Sequence, residues 1–471
     1  MDSRHGADLV SAAQHLADQC RDAVRSGPGL SDTAGIRAAL DCVQSLLFQL
    51  EPTAFVQRLA DQSQLLACVQ WLGEFQVLAY LPLEADQGLP IQDMAELADV
   101  PEAQLCRIVR LTAMGGFLRE PQPGYVAHTA LSASFVRRLA QLDSAMFLAE
   151  TVAPCMLHMA AASRHAHTHQ AEGLAMDWGS KRVQRLWSSF VGAMGGADQD
   201  SHILAQIDWA SLARDAAPSP PRGGGGGGGV VVVVVVVVMA MMMVVVGVDD
   251  VGGSSPPRGP AAAAGAVLAL AESHPALRFV VQTTDAAPPP SATATVSATS
   301  ATASATSASA APTPPSHSTS HSHNHNHNHH HNVRMCQRAH GAPQTITDAA
   351  LYLVRVPANI PGPIRPRIAA ELRAHLPVLQ AQRGALLILT SPLLPEPGTV
   401  SRQTELLARV RDLARLQLVG SGLLTLQELV ELVGSIHDAH GGLVVVKQLH
   451  APNSAFVGLG LRYQPLLPLT G

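Results

Sequence analysis

Residues 244–282 read VVVGVDDVGGSSPPRGPAAAAGAVLALAESHPALRFVVQ, and this stretch decides the fold class. The β-branched run that ends at Val248 predicts a buried strand, and Leu277–Val281 predicts the next parallel strand. Gly252 and Gly253 form the tight turn after the first strand. Strand, glycine turn, helix and strand in this order predict the start of an open α/β sheet. The helix carries the apolar residues Val267, Leu268, Leu270 and Ala271.

An open sheet of this kind binds its ligand where the first strand meets the helix. Glycine there lets the backbone approach the ligand, and the helix N-terminus offers unpaired N–H groups. In this chain Pro256 and Pro257 follow the paired glycines and remove two of those donors. The sequence therefore predicts a nucleotide-binding scaffold with a compromised turn, and a purely structural turn is the alternative interpretation.

Composition and charge argue against several classes of function. Lys and Arg total 31 against 36 Asp and Glu, and the resulting net charge of −5, with no basic block, argues against tight sequence-independent binding to nucleic acid. The six cysteines form no CxxC pair, so we expect neither a disulfide framework nor a zinc cluster, and a reducing intracellular compartment fits best. The amino terminus also lacks the pattern of a secretory signal.

A run of valine and methionine over Val230–Val248 is long enough by count to span a bilayer. It follows an oligoglycine tract, lacks basic or aromatic flanks and continues directly into the glycine turn. We therefore interpret its end as a buried strand and the rest as an expanded repeat, and we expect no membrane association.

The amino-terminal part is mostly helical by pattern. Asp8–Val24 and Ala34–Leu50 have apolar residues at three- and four-residue spacing, and Gln64–Tyr80 is apolar on nearly every side. A helix of the last kind is usually buried in a core or in a subunit interface. Packing and dimer contacts are therefore the expected role of this region.

A winged helix-turn-helix is the best-specified local pattern of the chain. Ile91–Ala98 is a short helix, Asp99 is the predicted N-cap of the next, and Glu102–Met114 is that second helix, which ends at paired glycines. Residues 117–128 then form a hairpin wing around a Pro/Gly turn. The sequence predicts a dimerisation or protein-docking module.

Direct DNA binding by this module is the weaker alternative. The outward face of the second helix carries Gln104, Arg107 and Arg110. The two arginines could contact phosphate, but a helix that reads an operator usually lies in a much more basic setting.

Four histidines lie between two further helical patterns, Ala145–Met159 and Val183–Ala193. Their irregular spacing on a polar segment favours a solvated loop over a metal site. These histidines are His158, His165, His167 and His169.

Residues 286–332 are of low complexity, with proline, then Ser/Ala/Thr, then alternating histidine and asparagine. This tract lacks the apolar content to fold, so we expect a disordered insertion within the α/β domain. Beyond it the α/β pattern resumes and predicts one doubly wound sheet. The predicted strands are Ala349–Val354, Gly384–Leu389 and Gly442–Gln448, and the predicted helices are Ile368–Leu379, Leu406–Leu418 and Leu426–Val433.

These patterns together predict a mostly α winged-helix amino-terminal domain followed by an α/β Rossmann-like domain that the insertion interrupts. The predicted parts are amino-terminal helices at 1–62, a winged-helix dimerisation or docking domain at 63–140, connecting helices at 141–215, a Gly/Val/Met repeat at 216–243, the first part of the Rossmann-like domain at 244–285, the disordered insertion at 286–333 and the second part of that domain at 334–471.

Winged helix, connecting helices and Rossmann-like domain in this order resemble the S-adenosylmethionine-dependent O-methyltransferases of secondary metabolism, which implies an α/β domain of the class I methyltransferase type. Within that group, residues 65–83 (LLACVQWLGEFQVLAYLPL) and 146–162 (MFLAETVAPCMLHMAAA) are most similar to the methyltransferase-like transcriptional coactivators of fungal aromatic-polyketide clusters, of the aflatoxin-cluster type. The stretches shared with the methyltransferases include AELADVPEAQLCRIVRLTAMGGFLRE, DVGGSS, LALAESHPALRFVVQ, DAALYLVRV, GALLILTSPLLPEPG and RDLARLQLVGSG.

The resemblance also implies site residues, and several of them are altered. In active members the strand matching Leu351–Arg355 leads to a histidine that serves as general base, whereas here it leads to Val356–Pro363 (VPANIPGP), which offers no proton acceptor. An acidic residue for the cofactor ribose should follow the second strand. Here Gln282 is followed by two threonines, and Asp285 lies slightly further along. Thr390 stands where active members tend to have an acidic residue.

The resemblance therefore implies a non-catalytic coactivator with no catalytic residue and no bound metal. No cofactor is expected, although the scaffold could still hold S-adenosylmethionine through vestigial residues. The implied partner is a fungal binuclear-zinc-cluster transcription factor that supplies the DNA contacts. We also expect a homodimer through the winged-helix domain. The expected location is the nucleus, with the cytoplasm as a second location. The vestigial cofactor-binding residues are Asp250, Gly252, Gly253 and Asp285.

An active O-methyltransferase of a polyketide phenol is the alternative function. It would need a base from elsewhere in the chain, and His340, which precedes the strand at Ala349–Val354, is the candidate.

Overall fold

The computed structural model describes residues 3–26, 33–84, 87–166, 176–178, 180–196, 201–209, 232–238, 270–274, 277–285 and 332–466. Its strands form a three-stranded sheet in the amino-terminal half and a seven-stranded sheet in the carboxyl-terminal half. Residues 286–331, predicted as a disordered insertion, lie outside the described residues. Across the described ranges, no helix is both long and apolar enough to cross a membrane.

Helices fill the amino-terminal region, as predicted, but the helix expected over Gln64–Tyr80 starts earlier and is broken. Gln76 has a φ of 54°, a left-handed conformation that interrupts the helical hydrogen-bond ladder. The helix before it also crosses the predicted boundary between residues 62 and 63, so that boundary is wrong. The helices are α1 (Ser3–Ser26), α2 (Thr33–Leu50), α3 (Pro52–Glu74) and α4 (Val77–Tyr80).

A helical hairpin and a small antiparallel sheet follow at the predicted positions. The strands of this small sheet have the order β1-β3-β2, and Leu118 pairs with His128. Asp99 is not an N-cap, because it lies in the left-handed conformation (φ 53°) after α5, and Pro101 precedes α6 instead. A left-handed residue reverses the chain between two helices, and aspartate tolerates that conformation. The elements are β1 (Leu89–Pro90), α5 (Ile91–Ala98), α6 (Glu102–Met114), β2 (Leu118–Arg119) and β3 (Tyr125–His128).

Connecting helices carry an aromatic cluster onto the large sheet. Phe147, Trp187 and Phe190 pack against one another and are all at most 1% exposed. Two π-helical turns, Leu148–Val152 and Gly192–Gly196, extend these helices. The connecting helix α8 (Leu139–Phe147) crosses the predicted boundary between residues 140 and 141. The helices are α7 (Ala130–Arg137), α8 (Leu139–Phe147), α9 (Ala153–Leu157), α10 (Met159–Ala166), α11 (Lys181–Val191) and α12 (Ser201–Leu204).

The large sheet has the strand order β6-β5-β4-β7-β8-β10-β9. Neighbouring strands from β6 to β8 are parallel, and β10 is antiparallel to both β8 and β9. Helices cover both faces, as a parallel sheet requires. The strands are β4 (Val232–Val238), β5 (Leu277–Asp285), β6 (Val333–Ala339), β7 (Ala349–Arg355), β8 (Leu386–Pro392), β9 (Gly441–His450) and β10 (Phe456–Pro465), and the helices after β7 are α13 (Ile364–Ala381), α14 (Arg402–Val419) and α15 (Leu426–Gly434).

The first strand of this sheet lies inside the valine run rather than at its end. β4 spans Val232–Val238, within residues 216–243 that were predicted to be a repeat outside the domain, and it pairs with both β5 and β7. A parallel strand between two others is buried on both faces, so a continuous run of β-branched residues suits it. The predicted strand end, residues 244–248, lies outside the described residues. The domain boundary at 244 is therefore wrong.

Two strands of the sheet were not predicted. β6 starts at Val333, directly after the low-complexity tract, and mixes apolar with charged residues because it is an edge strand. β10 spans Phe456–Pro465 and lies between β8 and β9. The other strands and helices of this half, including β5, confirm the predicted pattern to within a few residues at each end.

A buried polar network joins β5 to α13. Gln282 and Gln344 exchange hydrogen bonds through their side-chain amides, at 3.1 and 2.7 Å. Gln344 Nε2 also donates to His375 Nε2, at 3.1 Å, and His375 Nδ1 lies 2.8 Å from the carbonyl oxygen of Glu371. This pattern assigns the neutral Nδ1–H tautomer to His375, which is completely buried.

We predict that His375 contributes to acid sensitivity. Burial, with the charge of Arg338 as a smaller cause, lowers the pKa of His375 from 6.5 to about 3. Between these two values the unfolded chain binds a proton that the folded chain does not, so the free energy of unfolding falls as the pH falls, by roughly 1 kcal/mol per pH unit. Urea unfolding between about pH 7 and pH 4 spans roughly that window. Over this range H375Q should lose less stability than the unsubstituted protein.

The exposed His437 provides the matched control, because H437Q should keep the acid sensitivity of the unsubstituted protein. Equal pH slopes for H375Q and the unsubstituted protein would contradict the assigned neutral state of His375.

Candidate functional site at the carboxyl edge of the sheet

The candidate site lies at the edge of the sheet where the parallel strands end. In open α/β sheets ligands bind outside the carboxyl ends of the strands, at the point where the strand order reverses. Here β4 has β5 on one side and β7 on the other, so the order reverses between β4 and β7. The residues that follow β5 and β7 therefore form the candidate site.

On the cofactor side, one of the four predicted residues can be placed. Asp285 is the last residue of β5 and pairs with Ala339 of β6, so it stands at the carboxyl end of the strand. The strand is longer than predicted, and Asp285 is thus closer to the expected position of an acidic residue than the sequence suggested. The other three, Asp250, Gly252 and Gly253, lie outside the described residues.

The loop after β7 contains no titratable side chain and is hydrogen-bonded to α11. It spans Val356–Pro363, where the methyltransferase resemblance places a histidine base. Trp187 Nε1 donates to the carbonyl oxygen of Asn359 at 3.0 Å, and the Asn359 amide donates to Ser188 Oγ at 2.9 Å. The loop is thereby fixed against the aromatic cluster.

Arg415 on α14 holds the same loop from the other side. Its guanidinium donates to the carbonyl oxygens of Ile360 (2.8 Å) and Gly362 (2.7 Å) and lies 5.9 Å from the ring centroid of Trp187. The side chain is 1% exposed. Burial lowers its pKa to about 10, so it remains protonated at neutral pH. A buried cation therefore stands beside the place where the enzymes have a base.

Further arginines make this edge cationic. Arg411, one turn before Arg415 on α14, is 3% exposed, and burial lowers its pKa to about 10. Arg367 on α13 approaches Gly362. After burial, the charge of Asp412 raises the pKa of Arg415, and the charges of Arg367 and Arg411 lower it. S-adenosylmethionine carries a sulfonium cation, and like charges repel. These cations lie on the β7 side of the edge, whereas Asp285, the described one of the predicted cofactor-binding residues, ends β5.

Thr390 lies in β8 and faces no solvent. Its backbone carbonyl oxygen accepts the N–H of Val356 at 2.9 Å, and its hydroxyl has no hydrogen-bond partner among the described residues. The position that was expected to be acidic in active members is thus neutral and completely buried.

His340, the alternative base, follows β6, which lies three strands from β7. At ordinary strand spacing this separation is roughly 14 Å. Its Nδ1 lies 3.4 Å from Glu371 Oε2, and Glu371 also forms a buried ion pair with Arg338. Burial first, and then the charges of Arg367 and Arg338, lower the pKa of His340. The structure therefore places His340 against Glu371 of α13.

In the helical hairpin, Arg107 and Arg110 are exposed, as predicted. Arg110 Nε lies 3.8 Å from Glu120 Oε2. A groove of about 480 Å³ at the turn between α5 and α6 is lined by the carboxylates of Glu96, Asp99 and Glu102. This end of the hairpin is acidic, which disfavours contact with phosphate.

The predicted histidine cluster is only partly described. His158 is exposed, and its Nδ1 lies 2.8 Å from the carbonyl oxygen of Pro154. His165 lies in α10, and His167 and His169 lie outside the described residues. Within the ranges that the structure describes, no three His, Cys, Asp or Glu side chains come together as a potential metal site.

Arg411 and Arg415 belong to no motif that predicted a role for them from the sequence. Both lie in the stretch RDLARLQLVGSG, four residues apart on the helix face that also carries the buried Ala408, Ala414 and Leu418. Charged residues that recur on the apolar face of a helix are rarely buried without a specific reason. That spacing was the available signal.

Comparison with known sequences gives a consistent result, although no protein-family model matches the chain. It is 38% identical to a transcriptional coactivator of Pseudocercospora fijiensis, over 85% of this chain and 97% of that protein. It is 35% identical to the dothistromin biosynthesis regulatory protein of Dothistroma septosporum, with 99% of each chain covered. It is 34% identical to the trypacidin cluster transcriptional coactivator of Aspergillus fumigatus, over 97% of this chain and 94% of that one.

Solved structures share the fold at low sequence identity. LepI in complex with SAM matches with a TM-score of 0.59 at 12% identity, covering 98% of this chain and 100% of LepI. OxaC in complex with SAH and oxaline matches with a TM-score of 0.58 at 14% identity, with the same coverage. The mitomycin 7-O-methyltransferase MmcR matches with a TM-score of 0.52 at 14% identity, over 88% of this chain and 99% of that one. The chain therefore has a class I methyltransferase fold and belongs to the family of transcriptional coactivators of fungal secondary-metabolite gene clusters.

Proposed function

We propose that this chain is a catalytically degenerate O-methyltransferase homologue that acts as coactivator of an aromatic-polyketide gene cluster. The observation that carries the proposal is the loop Val356–Pro363, which has no proton acceptor and is held by Trp187 and Arg415. General-base catalysis of methyl transfer to a hydroxyl needs a group that accepts its proton. A retained fold with a packed, base-free loop favours a binding role over an enzymatic one.

We further propose that a binuclear-zinc-cluster transcription factor is the partner and supplies the contacts to DNA. The net charge of −5 and the acidic groove at the α5–α6 turn support this division of labour, because phosphate binding needs clustered cations. Joint action with such a factor would place the chain in the nucleus, with the cytoplasm as its site of synthesis.

The unit formed by β1, α5, α6 and the β2–β3 hairpin is proposed to be a winged helix that serves dimerisation and docking. Next to it, α3 exposes three large apolar side chains, Phe55 (50% exposed), Val56 (65%) and Leu59 (49%). Leu40 and Leu47 of α2 are each 42% exposed. Several exposed large apolar side chains on neighbouring helices are typical of subunit interfaces, so a second copy of the chain is the proposed occupant.

The coactivator role predicts a coordinated loss of expression. Deleting the gene should abolish transcripts of the neighbouring biosynthetic genes together, and the tagged protein should co-immunoprecipitate a zinc-cluster activator from cells that make the metabolite. RNA sequencing of the deletion strain measures the first effect, and mass spectrometry of the precipitate from a strain with the tagged protein measures the second. Steady transcripts with accumulation of one unmethylated intermediate would contradict the proposal.

The degenerate site predicts no methyl transfer. Purified protein with S-adenosylmethionine and polyketide phenols should give no methylated product by liquid chromatography and mass spectrometry. His340 is the group that could still supply a base, and its contact with Glu371 makes H340A the informative variant. Turnover that H340A abolishes would establish the alternative function, an active O-methyltransferase.

The proposed dimer predicts that F55D/L59D is monomeric. Two carboxylates in an apolar interface lose their hydration without a partner, so self-association should weaken strongly. Light scattering coupled to size exclusion measures the mass, and circular dichroism verifies the fold. The control is L157D, since Leu157 is 85% exposed on a different surface. A dimer that persists in F55D/L59D, or one that L157D also disrupts, would place the interface elsewhere.

A further inference from the structure

Arg411 is a buried cation without a partner in the described part of the chain. Its side chain is 3% exposed, and neither Nε nor Nη1 makes a hydrogen bond there. Arg415, on the same face of α14, differs because two loop carbonyls accept its hydrogen bonds. Folded proteins rarely leave a buried charge unpaired, because the loss of hydration is not compensated.

The charges around Arg411 do not neutralise it. Arg415, on the same face of α14, is a second cation, and the adjacent carboxylate of Asp412 accepts the backbone N–H of Leu423 at 2.6 Å. Burial lowers the pKa of Arg411 to about 10, so the guanidinium is still charged at neutral pH. Two buried cations, Arg411 and Arg415, thus lie on one face of α14.

Arg411 also lies at the ligand-binding edge of the sheet. At its start, α14 is tied to the turn between β9 and β10, where Ser401 N–H donates to Asn453 Oδ1 at 2.7 Å. That turn adjoins the carboxyl end of β8, because Phe456 pairs with Pro392. Further along, Arg415 contacts the loop after β7. Helix α14 thus lies across the carboxyl edge, with Arg411 between these two contacts.

We propose that Arg411 anchors a binding site for a small organic carboxylate at the carboxyl edge of the sheet. The planar guanidinium fork matches a carboxylate in two parallel hydrogen bonds, which a point charge does not. Nε and Nη1, which are both unpaired, flank Nη2 in the guanidinium plane, and each forms one edge of the fork together with Nη2. This site goes beyond the coactivator role, since it gives a chain without a base a means of binding a small molecule at the edge where open α/β sheets bind ligands.

The first test is ligand-dependent stabilisation. Benzoate and anthraquinone-2-carboxylate are titrated into the purified full-length protein, with the matching neutral amides as controls, and melting temperature and calorimetric affinity are recorded. We expect the carboxylates, but not the amides, to stabilise the protein. R411M should weaken carboxylate binding by roughly 10- to 150-fold, the effect of losing hydrogen bonds to a charged group.

The second test needs no ligand. R411M removes an unpaired buried charge while keeping an apolar side chain of similar length, so its melting temperature without ligand should rise. R409M is the matched control on the same helix, because Arg409 is half-exposed and bound to Glu405, and it should leave binding unchanged. R411K keeps the charge but loses the fork, so it should bind carboxylates more weakly than the unsubstituted protein.

Two results would overturn this site. A destabilised R411M would mean that the guanidinium already has a partner within the protein. Carboxylates that raise the melting temperatures of R411M and of the unsubstituted protein equally, or neither of them, would mean that Arg411 binds no such anion. Neither result depends on transcription, so the site and the coactivator role stand or fall separately.

Discussion

Strand β4 pairs with β5 on one side and with β7 on the other, and the order of the whole α/β domain follows from that position. Both of its edges are hydrogen-bonded, and a central strand of a parallel sheet between two layers of helices is expected to be apolar along its full length. Seven consecutive valines meet this condition without any alternation of polar and apolar residues. The reversal of strand order beside β4 then fixes where a ligand would bind, and the loops after β5 and β7 acquire their importance from it.

The loop after β7 shows how such a scaffold changes its chemistry without losing its fold. Tryptophan and arginine side chains from two helices hold the backbone carbonyls of this loop, and no residue within it can accept a proton. The loop is consequently a packing element between α11 and α14. The hydrogen bonds to this loop stabilise the fold, because they satisfy carbonyl oxygens that would otherwise be buried without donors.

Charge separates this site from that of a methyltransferase. Three arginines, Arg367, Arg411 and Arg415, lie on the two helices α13 and α14, and Arg367 and Arg415 approach the loop after β7. An environment of this sign favours an anion over a sulfonium. The coactivator family and the O-methyltransferase fold are therefore compatible, since the fold supplies the edge and the side chains decide what can bind there.

Local pattern alone determined most of the elements of this protein. The helical hairpin at Ile91–Met114, the strands Leu277–Asp285 and Ala349–Arg355, and the absence of a base in the loop after β7 follow from periodicity, turn residues and residue types, which act over a few positions. Only the tertiary structure decided which part of the valine run became β4, because every register of a homopolymer looks alike and only pairing with β5 and β7 selects one. The same holds for β10, for the left-handed Asp99 and for the burial of Arg411 and Arg415. Those outcomes depend on neighbours distant in sequence, and a local pattern carries no information about the partners that enclose a side chain.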